Sequence, residues 1–310
     1  MEDGALTPYA LRLTPYDSPP APRLLVILAH PDDESFGMGS TLTRYAAEGV
    51  EVHYVCATRG ECGEVDPALL IGYDSIGALR EAELANAARE LGLAAVHQLG
   101  YRDSGMTGAA TNAHSQAFIQ APLAQVARQL VAVIRTVRPQ VVVTFNPYGG
   151  YGHPDHIHIH RATLAAFGAA GDPQQYPELA ADGLAAWEPD KLYFAVFSAA
   201  ALRWVVRGMR AFGRDPRRFG TNGDVDLVAA IDRAGRITTR LDNRAYAPHK
   251  ERASACHRSQ IGGIAPLQRL PQRLRHYLLG IEAFTRIVPP LRPGTLPLED
   301  DLFAGIATTA

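Results

Sequence analysis

Leu24-Leu25-Val26-Ile27-Leu28-Ala29-His30-Pro31-Asp32-Asp33-Glu34 decides how the rest of the 310-residue chain is read. Its first six residues form an uninterrupted apolar run, the pattern of a strand covered on both faces, as parallel sheets require. The polar cluster follows without a spacer, which puts it at the carboxyl end of that strand. Four further segments read as strands: Glu51–Ala57 (EVHYVCA), Ala95–Leu99, Gln140–Phe145 (QVVVTF) and Lys191–Phe197 (KLYFAVF). Helical patterns fill the intervals, at about Gly39–Glu48, Ile76–Leu91, Ala121–Val137 and His156–Phe167. Strands joined by helical crossovers make βαβ units. The expected fold is α/β: a Rossmann-like, mostly parallel sheet of order 3-2-1-4-5, flanked by helices and followed by a C-terminal elaboration.

A second polar cluster, Tyr151-Gly152-His153-Pro154-Asp155-His156, follows the fourth strand behind Gly149 and Gly150. In the order 3-2-1-4-5 the first and fourth strands are neighbours at the topological switch point, so both clusters open on one crevice. Their residue types suit a divalent ion. Imidazole and carboxylate accept zinc or ferrous iron, whereas magnesium prefers oxygen alone. Catalytic zinc sites use three protein ligands and leave one position for water. The adjacent carboxylates Asp32 and Asp33 can divide the work, one holding the ion and the other acting as base toward a water whose pKa the ion lowers to ~7. An aspartate at such a junction can also simply cap a helix, but capping explains neither the flanking histidine nor the second cluster.

Composition removes several classes. Lys and Arg number 30 against 32 Asp and Glu, a formal net charge of -2, so no basic excess points to nucleic acid. Cys56, Cys62 and Cys256 are too few and too scattered for a disulfide framework. No apolar run approaches the ~20 residues that span a bilayer, and the proline-containing opening lacks the apolar centre of a signal peptide. A cytoplasmic protein with no membrane partner is expected, with a homo-oligomer left open. The turn after the first strand is not Gly-x-Gly-x-x-Gly, so no dinucleotide is implied. The chain divides into a flexible N-terminal arm (1–22), a core (23–200) and an elaboration (201–310) that packs on the core and shapes the pocket. Within the last, Arg203–Arg218 reads as partly helical, Asp226–Ile231 as a strand, and Pro248 as the first turn of a helix running to about Ser259. Gly262–Pro266 and Ile287–Pro297 read as loop or cap.

Ala29–Gly37 (AHPDDESFG) with Gly152–His156 (GHPDH) resembles the LmbE-like, or PIG-L-type, family of metal-dependent N-acetylglucosamine deacetylases. Thr58–Val65 (TRGECGEV), Arg80–Leu84 (REAEL), Tyr101–Met106 (YRDSGM), Gly149–His160 (GGYGHPDHIHIH) and Lys250–Gln260 (KERASACHRSQ) extend the resemblance over most of the chain from about residue 23. They are most similar to the branch that acts on N-acetylglucosaminyl-inositol in mycothiol biosynthesis. The resemblance implies His30, Asp33 and His156 as ligands of Zn2+, with Fe2+ the alternative. It implies Asp32 as general base, and His153 as the group that stabilises the tetrahedral intermediate and protonates the leaving amine. Asp155 would orient that histidine, and Tyr151 would polarise the amide carbonyl. Arg80 and Asp103 would hold sugar hydroxyls. The residues themselves leave room for other roles: an intrahelical ion pair for Arg80, a turn for Asp103, a packing aromatic for Tyr151. His160 reads as a packed or solvated histidine, and His257 as a structural one that could instead approach the pocket.

The implied activity is zinc-dependent removal of the acetyl group from a small-molecule N-acetylglucosamine glycoside. Inositol is the first choice of aglycone and malate, as in bacillithiol synthesis, the second. An amidase acting on a glucosaminyl thiol conjugate would use the same metal site. A ferrous oxygenase built on His30, Asp32 and His153 is a rival of another class, and so is a sugar-binding module without turnover.

Overall fold

Successive residues of Arg23–Leu28 (β1) bury to opposite sides of the sheet. Leu25 and Ile27 enter a layer with Val126, Leu130, Ile134 and Ile159, while Leu24, Val26 and Leu28 enter another with Leu42, Tyr54, Leu84 and Phe284. This is the physical reason for the unbroken apolar run: both faces of the strand are interior. The computed structural model describes residues 21–197, 199–220, 223–264, 269–291 and 298–306. The arm expected over 1–22 lies, up to residue 20, outside the described residues.

From β1 the chain forms α1 (Asp33–Ala47), β2 (Glu51–Thr58), α2 (Ile76–Leu91), β3 (Ala95–Tyr101), α3 (Leu123–Val137) and β4 (Val141–Phe145). A four-residue turn of helix, α4 (Gly149–Gly152), leads into α5 (Pro154–Ala170), then α6 (Pro177–Ala181) and β5 (Lys191–Val196). After these come α7 (Ala199–Ala211), α8 (Leu227–Asp232), β6 (Thr239–Asp242), α9 (Ala247–Cys256), α10 (Gln272–Leu279) and β7 (Ile281–Val288). The sheet order is β3-β2-β1-β4-β5-β7-β6. The first five strands are mutually parallel in the expected order, with Leu24 paired to Val52 on one side and to Val141 on the other. α3 and α5 cover one face; α1, α2 and α9 pack together over the other.

The C-terminal third departs from its sequence reading in two places. Asp226–Ile231 is not a strand. The Asp226 carboxylate accepts the Val228 and Ala229 N–H groups, both at 2.9 Å, and so starts helix α8 instead. Ile287 and Val288, read as loop, end strand β7, which runs antiparallel to β5 and carries β6 on its other edge. Of the rest of that segment, 292–297 lie outside the described residues, as do 265 and 266. Helix α1 also begins earlier than expected: Asp33 and Glu34 form its first turn. The polar cluster after β1 is therefore a helix start rather than a loop, which limits the conformations its side chains can take.

Candidate active site

Two histidines from the two polar clusters meet nitrogen to nitrogen. His30 Nδ1, just beyond β1, lies 3.1 Å from His156 Nε2 on the first turn of α5. Both rings are buried, at 5% and 1% exposure. The far nitrogen of each is occupied. His156 Nδ1 donates to the Gly149 carbonyl at 3.0 Å, so its Nε2 carries a lone pair; His30 Nε2 faces the Asp155 carboxylate at 3.2 Å. Asp33 closes the triangle, 3.6 Å from His30 Nδ1 and 3.4 Å from His156 Nε2. A tetrahedral ion with ligand bonds of ~2.0–2.1 Å needs its ligand atoms about 3.3 Å apart. The His156 Nε2 lone pair, the His30 Nδ1 atom and the Asp33 carboxylate converge at this separation inside a negative surrounding, so the residues present fit a divalent metal. Nitrogens of His30, His153 and His156 also fall within 4.8 Å of one another, as do ligand atoms of His30, Asp103, His153 and Asp155.

Each side chain is aimed by its backbone. The Asp33 carboxylate accepts the His30 N–H at 2.8 Å and the Ala29 N–H at 3.3 Å, tying the helix start to the strand end. The Tyr54 hydroxyl donates to the His30 carbonyl at 2.9 Å. On the other side, Gly149 has φ +65°, and a Cβ there would stand 2.7 Å from the Cβ of His156. Glycine is what lets the backbone come close enough for its carbonyl to fix that imidazole. Pro154 follows at the start of α5, where its missing N–H costs nothing.

Asp32 occupies a backbone conformation, φ 122° and ψ -25°, that a non-glycine residue reaches only at a cost of roughly 1–3 kcal/mol. Its carbonyl accepts the Ser35 and Phe36 N–H groups, and its N–H donates to Glu34 Oε2 at 3.0 Å. Its carboxylate meets Arg80 Nη2 at 2.9 Å. Burial raises the Asp32 carboxyl to about 7, with the Asp33 charge adding to the rise and the Arg80 cation opposing it. Asp33 moves the other way. Burial is outweighed by His156 and His30, and its carboxyl falls well below the usual range. Neighbouring carboxylates thus differ in basicity because one faces a guanidinium from a strained turn and the other faces two imidazoles.

The histidines are also pushed apart. Burial works against a charged His30, but Asp103, Asp155 and Asp33 around it prevail and hold it well above its ordinary value. The same negative field favours a cation between the two nitrogens. Burial and the His30 charge lower His156 to about 4 and take His153 well below 6.5. Tyr151, whose ring lies edge-on to both, is raised chiefly by burial, so its phenol stays a donor.

All nine residues singled out in the sequence converge here, some with partners other than those expected. The Asp155 carboxylate bonds His30 Nε2 and the Ser104 N–H rather than the His153 ring, which receives only the Asp155 backbone N–H, at 3.2 Å. Arg80 is 3% exposed, with its guanidinium spent on the carbonyls of Gly60 and Pro31 and on Asp32. Asp103 does shape the turn, accepting the Gly105 N–H, yet its carboxylate also lies 3.6 Å from His30. His160 donates to the Phe145 carbonyl at 2.7 Å and packs on Phe194. His257 does not reach the crevice; it is completely buried and bonds Glu34. Glu34 has a part in holding Asp32 that its type and position did not reveal, although it lies within the matched motif.

The family described as PIG-L, GlcNAc-PI de-N-acetylase, matches residues 25–167. A 1D-myo-inositol 2-acetamido-2-deoxy-alpha-D-glucopyranoside deacetylase of Geodermatophilus obscurus is 40% identical over 296 residues, spanning 93% of this chain and 99% of that relative. The chain belongs to the PIG-L family. Another PIG-L relative, of the same name, from Streptomyces avermitilis is 40% identical over 304 residues and covers 93% and 98% of the two chains. Among solved structures, the N,N'-diacetylchitobiose deacetylase of Pyrococcus horikoshii aligns with a TM-score of 0.60 at 22% identity, over 86% of this chain and 84% of that one. At that identity the likeness shows the shared fold, which fits the five parallel strands and the helices flanking them. As a PIG-L protein the chain is an N-deacetylase, a hydrolase of amide bonds.

Proposed function

We propose that the chain is a zinc-dependent deacetylase that hydrolyses the acetamide of N-acetylglucosaminyl-inositol, the step that supplies the free amine for low-molecular-weight thiol synthesis. One observation carries the metal site: His30 Nδ1 and His156 Nε2 stand 3.1 Å apart, with the Asp33 carboxylate beside both and the far nitrogens already bonded. His30, Asp33 and His156 are the proposed ligands, and the set accepts ferrous iron as well as zinc. A divalent ion held there supplies Lewis acidity toward water and the amide carbonyl. The names of relatives 40% identical over nearly their whole length support inositol as the aglycone; malate is the second choice. A cytoplasmic setting is supported by three free thiols and by the absence, among the described residues, of a helix long and apolar enough to cross a membrane.

The chain's own groups divide the proton transfers. Asp32, raised to about 7, is matched to taking a proton from the attacking water near neutral pH. The Tyr151 phenol remains a hydrogen-bond donor for the oxygen that gains charge. His153 accepts the Asp155 N–H at Nδ1, leaving Nε2 to bond the departing group, and the proton that the amine gains is the one Asp32 took from the water. Asp155 holds His30 from behind, fixing its tautomer. Asp103, beside His30, is the proposed holder of sugar hydroxyls; Arg80, implied as its partner, has its guanidinium engaged with Gly60, Pro31 and Asp32 and supports the base instead.

Release of the free glucosaminyl amine across a panel of glycosides (inositol, malate, free N-acetylglucosamine and a glucosaminyl thiol conjugate), with acetate measured for the N-acetyl substrates, tests the proposal before and after chelation and re-addition of zinc or ferrous iron. Chelator-sensitive release, highest with the inositol glycoside, is expected. A metal-loaded sample that deacetylates nothing in the panel overturns the activity, and preference for the thiol conjugate reassigns it as a conjugate amidase.

A further inference from the structure

His257 is the residue after α9, 223 positions from the glutamate it bonds. Its Nε2 lies 2.6 Å from Glu34 Oε1, and neither side chain has any exposed surface. The same Glu34 oxygen accepts the Ser35 hydroxyl at 2.6 Å, while the other oxygen accepts the Asp32 N–H at 3.0 Å. One carboxylate thus joins the C-terminal third to the backbone of the residue read above as the base. That backbone is the strained one, at φ 122°. Phe36 closes over the pair, its ring edge-on to His257 at 5.9 Å. α9 and the turn after it are anchored on both sides of His257: Lys250 bonds Glu282 at 2.6 Å, and Ser259 gives Glu83 its N–H at 2.9 Å and its hydroxyl at 2.6 Å. The anchoring places His257 rigidly.

We propose that His257 is a positioning residue for the base: acting through Glu34, it holds Asp32 in a turn that the aspartate would not keep by itself. A buried ion pair is poor evidence of net stability, because desolvation offsets the attraction, and fixing one conformation is the better-attested use. The chain of contacts gives that use an object. Without a donor at position 257, Glu34 keeps a buried oxygen short of a partner and gains freedom to turn. The Asp32 N–H then loses its fixed acceptor, and the carboxylate on the same residue loses its aim. The inference rests on the reading of Asp32 as base, and it extends the site to a part of the chain that supplies none of the nine residues around the crevice.

The test compares His257→Leu with His257→Gln, whose amide N–H can still reach Glu34. For His257→Leu, kcat is expected to fall about 10- to 100-fold, the range for losing a partner that orients a site residue. KM and bound-metal stoichiometry should stay at wild-type values, and His257→Gln should recover most of the rate. Adding His257→Leu to Asp32→Ala should lower the residual rate no further, since the two act on one step. A crystal structure of His257→Leu should show Asp32 relaxed from positive φ, a readout independent of turnover. Wild-type kcat in His257→Leu, additive losses in the double variant, or Asp32 unmoved at φ near 122° would each overturn the proposal. If leucine prevents folding, His257→Asn, too short to reach Glu34, carries the same expectations. Should the wild-type enzyme deacetylate nothing, the functional reading fails by itself, while the crystal structure still decides the clamp.

Discussion

At the exit of β1 the chain turns through Asp32, a residue with a side chain held at φ 122°; at the exit of β4 it turns through Gly149, Gly150 and Gly152, all at positive φ. The first turn is strained and braced by Arg80 and Glu34; the second is relaxed, because glycine pays no Cβ penalty there. Their electrostatics differ in the same sense. The β1 exit sets two carboxylates side by side and drives them apart, Asp32 up to about 7 and Asp33 well down. The β4 exit delivers neutral imidazoles, with His156 lowered to about 4 by burial and by His30. Titratable groups forced apart in this way mark a division of roles. The braced turn carries the basicity, and the glycine turn carries lone pairs.

The sharpest way to break this contrast is to remove the two aspartates separately. Asp32→Ala should cost about 10²- to 10⁴-fold in kcat, the usual contribution of general base catalysis, and leave bound metal unchanged. Asp33→Ala should lose the metal as well, and with it the acceptor for the Ala29 and His30 N–H groups. Metal analysis by mass spectrometry separates the two, and equal metal loss in both would end the assignment of distinct roles.

On the glycine side, Gly149→Ala puts a Cβ 2.7 Å from that of His156 at a backbone angle alanine disfavours. Metal affinity should drop about 10- to 100-fold, as for other partners that orient a metal-binding histidine; titration against a competing chelator measures it. A smaller effect is expected on pH dependence. With the base active only when deprotonated, kcat/KM should rise with pH through about 7. Arg80→Met removes the cation that favours the Asp32 carboxylate, so the acidic limb should move upward by about one unit, never downward. The smallest change belongs to His160→Gln, which loses a hydrogen bond to the Phe145 carbonyl. About 1 kcal/mol of stability is expected to go, with metal content and kcat unaltered; thermal unfolding and steady-state rates check both.

Much of the candidate site's geometry was legible because its signals are local. His30 and Asp33 lie three residues apart after a strand, and His153 and His156 three apart where a helix begins, so each half declares itself within a few residues. The partners of those residues were harder to read. Asp155 follows His153 by two positions, yet its carboxylate serves His30, because a helix start turns that side chain toward β1. Arg80 looked able to pair along its own helix; packing under the β1 exit gave it Pro31 and Asp32 instead. Strands β6 and β7 were obscured because an edge region that adds antiparallel strands lacks the apolar continuity of β1 or β4.

Local pattern alone determined the parallel α/β core and the two motifs at the strand ends; the strand order 3-2-1-4-5 was assumed as the common one, and the packed sheet bears it out. Only the tertiary structure decided which oxygen faces which nitrogen, how far the neighbouring aspartates differ in basicity, and that Glu34 and His257 brace the turn between them. Those outcomes depend on distances of about 3 Å between groups up to 223 residues apart in the chain, and on the removal of water around them, which only the packed molecule imposes.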